Sequence, residues 1–309
     1  VEELNDITLR FSPDSLRLLN FCLAIIMFSV ALHLKVDNLK YILKNPVSVV
    51  IGAVSQLLLL PLISVGLILL LKPSAPIAMG MLLVSACPGG NVSNFFSLIG
   101  KGNIALSIAL TTISSLVSAF STPLLFVFWA KQLLNKDDIV DFHLPFLPAL
   151  TIILLVILLP AVLGILFNHK FPATAEKLKK PMQNASFAVL IAFILFALKA
   201  NFDHFLNFVG VVFFIVMAHN LLAFISGVGL ASLFRRPVAD RITIGLETSI
   251  QNTALGLVIT FNFFDGNGPM AMILAWWGVW HLITGYVFAT LAKKWVNRSE
   301  TALTIKTTK

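Results

Sequence analysis

The chain has 309 residues, 58% of them hydrophobic and 12% charged, against about 45–50% apolar and roughly 25% charged in soluble domains. That balance excludes a water-soluble globular protein. The net charge of +8 would suit nucleic acid, but its placement along the chain reports membrane topology instead.

Apolar runs of about 20 residues recur, each long enough to cross a ~30 Å hydrocarbon core as a helix, and none shows the period-2 alternation of a barrel strand. In chain order, the first run, 15–34, follows an acidic stretch and carries Cys22. It has the length of a span, so no signal peptide is recognised, and a start at Val1 instead of Met leaves an upstream segment open. The second, 46–71, is interrupted by Gln56. The third, 75–98, is broken near its middle by Ala86-Cys87-Pro88-Gly89-Gly90-Asn91-Val92-Ser93-Asn94. The fourth, 104–130, carries Ser107 and Thr111 at i, i+4, on one helix face. After the fifth, 145–168, comes a Lys-rich connector, 169–181. The sixth and seventh cover 182–200 and 205–233, the latter with His219. The eighth, 241–263, contains the polar run Glu247-Thr248-Ser249-Ile250-Gln251-Asn252-Thr253. The ninth, 269–292, carries Trp276, Trp277, Trp280 and His281, the tryptophans reading as packing or interface aromatics. A basic tail, 293–309, suits the inner leaflet.

With the N-terminus outside, sixteen of the 22 Lys and Arg residues fall in the inner loops and tail, which sets an N-out, C-in orientation. The outer loops are acidic instead. Cys22 and Cys87 both lie in apolar spans and form neither a disulfide framework nor a zinc site.

Pro88 with its two glycines, and the polar run at Glu247, cannot belong to continuous lipid-facing helices, because the freed backbone must be satisfied by protein, water or ions. Two discontinuous helices are therefore expected. They are the third and eighth spans, and an odd offset places them in opposite orientations, as in an inverted repeat of about five helices whose first helix is absent.

Glu247 is the acidic residue inside an expected span, and a carboxylate at mid-membrane costs about 2.5–3.5 kcal/mol even on the mildest scale. No Lys or Arg is near enough to pair with it. Three solutions remain: protonation, a histidine partner (His219 or His281), or a bound cation. Oxygen donors are concentrated nearby, with Gln251 at i+4, Ser93 and Asn94 past the first break, and Ser107, Thr111 and Gln56 on adjacent spans. Such a set suits a hard monovalent ion better than a transition metal. If two sodium ions shared one carboxylate the site would carry +1, which a monoanionic substrate would neutralise, helped by half-helix N-termini.

Cys87-Pro88-Gly89-Gly90 with Ser93-Asn94, and Glu247-x-x-x-Gln251-Asn252, resemble the two crossover motifs of the bile acid:sodium symporter family, and the similarity runs across essentially all the spans. The resemblance implies an all-α polytopic membrane protein with a panel domain, 15–45 and 145–200, and a core domain, 46–135 and 205–292, holding two crossed discontinuous helices. It implies one sodium site from Ser93, Asn94, Ser107, Thr111 and Glu247, and a second from Gln56, Glu247, Gln251 and the carbonyls of Thr248 and Ile250. Asn91 and His281 match substrate-contact positions. Bacterial relatives can carry a small hydroxyl residue in place of Asn91 and an Asn in place of Leu282, so the substrate stays open between a bile acid-like anion and a smaller carboxylate. The expected activity is sodium-coupled import of an organic anion by alternating access, in the inner (cell) membrane of a bacterium, with sodium as coupling ion and neither cofactor nor obligatory protein partner. A proton-coupled carrier, or a metalloid exporter using Cys87, is the alternative. An intramembrane enzyme is disfavoured, because no zinc-protease or serine-nucleophile motif is present and Ser93 has no assigned base.

Overall fold

The computed structural model describes residues 13–32, 43–134, 146–200 and 202–307, and among these it is helical almost throughout, with no strand. In chain order the helices are α1 (Pro13–Ala31), α2 (Pro46–Leu71), α3 (Ala75–Ala86), α4 (Val92–Ile99) and α5 (Ile104–Leu133). There follow α6 (Phe146–Ile153 continuing through Leu154–Leu158 to Leu159–Lys170), α7 (Pro172–Ala200), α8 (Phe202–Leu233), α9 (Val238–Ser249), α10 (Thr253–Phe263) and α11 (Gly268–Thr307).

Four helices among the described residues are long and apolar enough to cross a membrane, five if the bent α5 counts as one. The two halves of α5, Ile104–Ser118 and Phe120–Leu133, differ in direction by 69°. Pro123 lies inside the helix, and its missing N–H frees the carbonyl four residues earlier, which permits the kink. Helices α2 and α6 each widen into a π turn, Ser55–Leu59 and Leu154–Leu158. Proline follows both, at Pro61 and Pro160. In α2 the Leu60 amide bonds back to the Ser55 carbonyl, one residue farther than α-geometry, because Pro61 supplies no amide to continue the regular ladder.

Both expected breaks are present. Helix α3 ends at Ala86 and α4 starts at Val92; α9 ends at Ser249 and α10 starts at Thr253. The connector expected over 169–181 is helix instead: α7 begins at Pro172 and runs through Pro181. Proline is well placed at the start of a helix, and the lysines behind it are good helix formers. The backbone of the basic tail likewise continues α11 as far as Thr307. Lys35, Lys40 and the acidic loop with Asp137, Asp138 and Asp141 lie outside the described residues.

Helix α1 packs on α6 and α7, whereas α2 to α5 and α8 to α11 pack mainly on one another. The largest apolar core joins α3, α10 and α11 through residues such as Met79, Leu83, Val258, Ile273, Leu274 and Trp277. A smaller cluster of Phe96, Leu246, Ile250 and Phe288 seats α4 and α9 on α11. Helices α8 and α9 come close through facing glycines: a Cβ on Gly227 would stand 2.9 Å from the Gly245 Cα. Small residues at such a crossing let two backbones approach in lipid. These contacts bring α9, and Glu247 with it, against both α5 and α2.

Candidate ion and substrate site

Gly89 and Gln251 form an antiparallel bridge that joins the two breaks. The Gly90 amide donates to the Ile250 carbonyl at 2.8 Å, and the Asn252 amide donates to the Pro88 carbonyl at 2.8 Å. Backbone groups released by the interrupted helices therefore satisfy each other. The terminal carbonyls are also held. Thr122 of α5 donates to Ala86 O at 2.8 Å, and Asn220 of α8 donates to Ser249 O at 2.7 Å. Ser114 accepts from the Gly89 amide at 3.2 Å, and Thr284 fixes Asn220 through its Oδ1 at 2.7 Å. Spacing alone gave no signal for Ser114, Thr122 or Asn220, since each acts on the main chain of a distant segment.

Glu247 lies on α9 two residues before that helix ends, and it is completely buried. Oε1 accepts from Ser93, from Ser107 at 2.5 Å and from Thr111 at 3.1 Å. Oε2 accepts from Thr111 at 3.0 Å and from Gln56 Nε2 at 3.3 Å. Among the described residues all four partners are neutral, and none is a histidine. His219 instead contacts Ser64 through Nε2 at 2.8 Å and meets the Trp277 ring edge-on. Between the three solutions open to this carboxylate, the histidine partner is absent from its hydrogen bonds.

The donors share one geometric cause. Ser107 and Thr111 are one turn apart on the face of α5 that meets α9, and Ser93 sits in the first turn of α4, which the bridge brings alongside. Gln56 reaches in from the π turn of α2, where the widened backbone shifts the register of the side chains. Its Nε2 also donates to the Glu247 main-chain carbonyl at 2.9 Å. Gln251 turns back to donate to Thr248 O at 2.8 Å. The carbonyls of Thr248 and Ile250 thus each accept one hydrogen bond and retain a second lone pair. Thr248 Oγ1 contacts Ser55 Oγ at 2.7 Å.

Among the described residues, three amide oxygens on Gln56 and on the two breaks are buried without a hydrogen-bond donor: Gln56 Oε1, Asn94 Oδ1 and Gln251 Oε1. An unmet buried acceptor is costly, about 1–3 kcal/mol each, and side-chain amide oxygens are hard ligands of the kind a sodium ion takes. The break also leaves no room for a side chain. A Cβ on Gly89 would lie 2.7 Å from Gln56 Nε2 and 2.9 Å from Glu247 Oε2.

Asn91 is the N-cap of α4, but its side chain makes no capping bond. His281 is buried, with Nδ1 lacking a partner among the described residues. It shares a face of α11 with Gly278 and Gly285, which are three residues before and four after it. A Cβ on Gly278 would touch Thr253 at the start of α10, and one on Gly285 would touch Phe96 in α4. The face of α11 that carries His281 therefore packs against the start of α10 at Thr253 and against α4 at Phe96. Cys87 is buried at the end of α3.

Residues 20–208 match the Sodium Bile acid symporter family. The chain is 31% identical to an uncharacterized sodium-dependent transporter of Bacillus subtilis, over 90% of this chain and 84% of that protein. It is 31% identical to a probable chloroplastic sodium/metabolite cotransporter of Oryza sativa, over 78% of this chain and 56% of the relative. It is also 29% identical to sodium/bile acid cotransporter 4 of Mus musculus, over 75% and 53%. The chain thus spans most of the Bacillus protein and about half the length of the plant and mouse relatives.

Proposed function

Because the chain belongs to the sodium bile acid symporter family, a family of transporters and not of enzymes, we propose that it imports an organic anion with two sodium ions bound around Glu247. The observation that carries this reading is a fully buried carboxylate whose partners among the described residues are all neutral, together with buried amide oxygens of Gln56, Asn94 and Gln251 that no donor among those residues satisfies. A mobile cation supplies the missing positive charge.

In the first site Glu247 Oε1, Ser93, Ser107, Thr111 and Asn94 Oδ1 would hold one ion. In the second, Glu247 Oε2, Gln56, Gln251 and the carbonyls of Thr248 and Ile250 would hold the other. Gln56 and Gln251 present their NH₂ groups to main-chain oxygens, and a half-turn of either amide would exchange that donor for its carbonyl oxygen. The same side chain can thus ligate a cation or close the gap once the ion has left. Two ions on one carboxylate leave a net +1, which favours a monoanion near Asn91 and His281, facing the positive ends of α4 and α10. The relatives' names put bile acids and metabolites in the range of cargoes.

The packing supports a panel of α1, α6 and α7 and a core of α2 to α5 with α8 to α11. Movement of one against the other would expose the sites alternately to the two sides of the membrane. The order helix, interrupted helix, helix occurs as α2, α3/α4, α5 and again as α8, α9/α10, α11, which supports the inverted repeat. We assign the protein to the cell membrane of a bacterium, N-out and C-in.

Uptake of a labelled organic anion into proteoliposomes tests the proposal. The expected result is accumulation driven by an inward sodium gradient and lost in Glu247→Ala. Uptake indifferent to sodium but driven by a proton gradient would favour the proton-linked carrier. A metalloid exporter would need the Cys87 thiol, so Cys87→Ser should retain sodium-driven uptake. Loss of transport with unchanged sodium binding in that variant would point to thiol chemistry.

A further inference from the structure

A second buried carboxylate, Asp240, lies two helical turns before Glu247 on α9 and is 6% exposed. Its Oδ2 accepts from Ser48 of α2 at 2.5 Å, and its Oδ1 accepts from Asn103 Nδ2 at 2.8 Å. Arg236, in the turn before α9, donates from Nε to Ser48 Oγ at 3.0 Å and brings Nη2 to 4.0 Å from Asp240 Oδ2. Asn103 also caps α5, its Oδ1 accepting from the Leu106 amide at 3.1 Å, and its own amide donates to Thr243 Oγ1 at 2.8 Å.

These contacts repeat at helical spacing. On α9, Asp240, Thr243 and Glu247 share a face; on α5, Asn103, Ser107 and Thr111 do; on α2, Ser48 and Ser55 stand seven residues apart. Asp240 meets Asn103 and Ser48 at one level, and two turns on Glu247 meets Ser107 and Thr111 while Thr248 meets Ser55. Sliding α9 along its axis would break both levels together.

We infer that Asp240 is a positioning residue for the sodium site: by pinning the start of α9 to α2 and to the cap of α5, it sets the register at which Glu247 meets Ser107, Thr111 and Gln56. This rests on the proposed sodium-binding role of Glu247. Asp240 touches no ion itself; it acts through the helix it anchors.

The test is equilibrium binding of radioactive sodium to the purified full chain, paired with uptake at saturating sodium. Asp240→Ala should raise the half-saturating sodium concentration about tenfold while leaving maximal uptake near native. Asp240→Asn should restore most of the affinity, since its amide oxygen still accepts from Asn103 and its NH₂ can donate to Ser48 Oγ. Native affinity in Asp240→Ala overturns the inference, and so does an Asp240→Asn variant as weak as Asp240→Ala. If Asp240→Ala does not yield folded protein, Ser48→Ala removes one contact of the same level, and unshifted affinity there overturns it equally. Absence of sodium binding in the native chain would instead defeat the transport reading on which the inference stands.

Discussion

A hydroxyl on a lipid-spanning helix can bond its own main chain one turn back or reach a neighbouring segment, and adjacent residues of α5 take different courses. Thr112 Oγ1 donates to Ile108 O at 2.6 Å, the local bond that most membrane Ser and Thr residues make. Thr111 and Ser107 instead donate to Glu247. Replacing Ser107 by Ala should weaken sodium binding by about tenfold or more, as expected for a lost bond to a charged group. Thr112→Ala should leave it unchanged; sodium titrations of uptake separate the two. Equal effects would mean that Glu247 is not the ligand. The sequence made Ser107 and Thr111 visible because polar residues at i, i+4 stand out in an apolar run. Asp240 was not visible in that way, since it precedes the expected span and reads as part of a charged inner loop.

The interrupted helices depend on backbone meeting backbone, which leaves little tolerance at the crossing. Gly89→Ala would place a methyl group within 3 Å of both Gln56 and Glu247, so sodium-driven uptake should fall sharply even where the protein still folds. Gly66 in α2 has nothing within 4 Å of an added Cβ, and Gly66→Ala should be harmless or stabilising by about 0.5–1 kcal/mol. Thermal midpoints and uptake measured for both variants check the contrast. Both breaks were legible from Pro88 with its glycines and from the polar run at Glu247, because neither segment can face lipid. That the breaks bond directly to each other was not, because pairing between Gly89 and Gln251 depends on how whole helices pack. The helical start of α7 was missed for a related reason. Lysine-rich composition reads as a loop in a membrane chain, whereas Pro172 followed by strong helix formers reads as a helix once the surrounding helices fix its direction.

Across the whole molecule, the proposed site would link ion binding to folding, because its ligands come from α2, α4, α5, α9 and the break after α9 and exist as a set only in the folded chain. A ligand that binds only the native state stabilises it by about 2.7 kcal/mol at a hundred times its dissociation constant. Sodium should therefore raise the thermal midpoint in detergent where equal potassium or choline does not, and Glu247→Gln should abolish the difference. A midpoint indifferent to the cation would remove sodium from the site. Among the described residues, every side chain that donates to the Glu247 carboxylate, at positions 56, 93, 107 and 111, precedes it in the chain. During synthesis the hydroxyl and amide groups therefore enter the bilayer first, as neutral residues that lipid tolerates, and the carboxylate arrives last, to partners already made. Reversing that order would leave a bare acid waiting in the membrane. A circular permutation that put α9 ahead of α2 should therefore impair insertion even though its finished contacts would be the same.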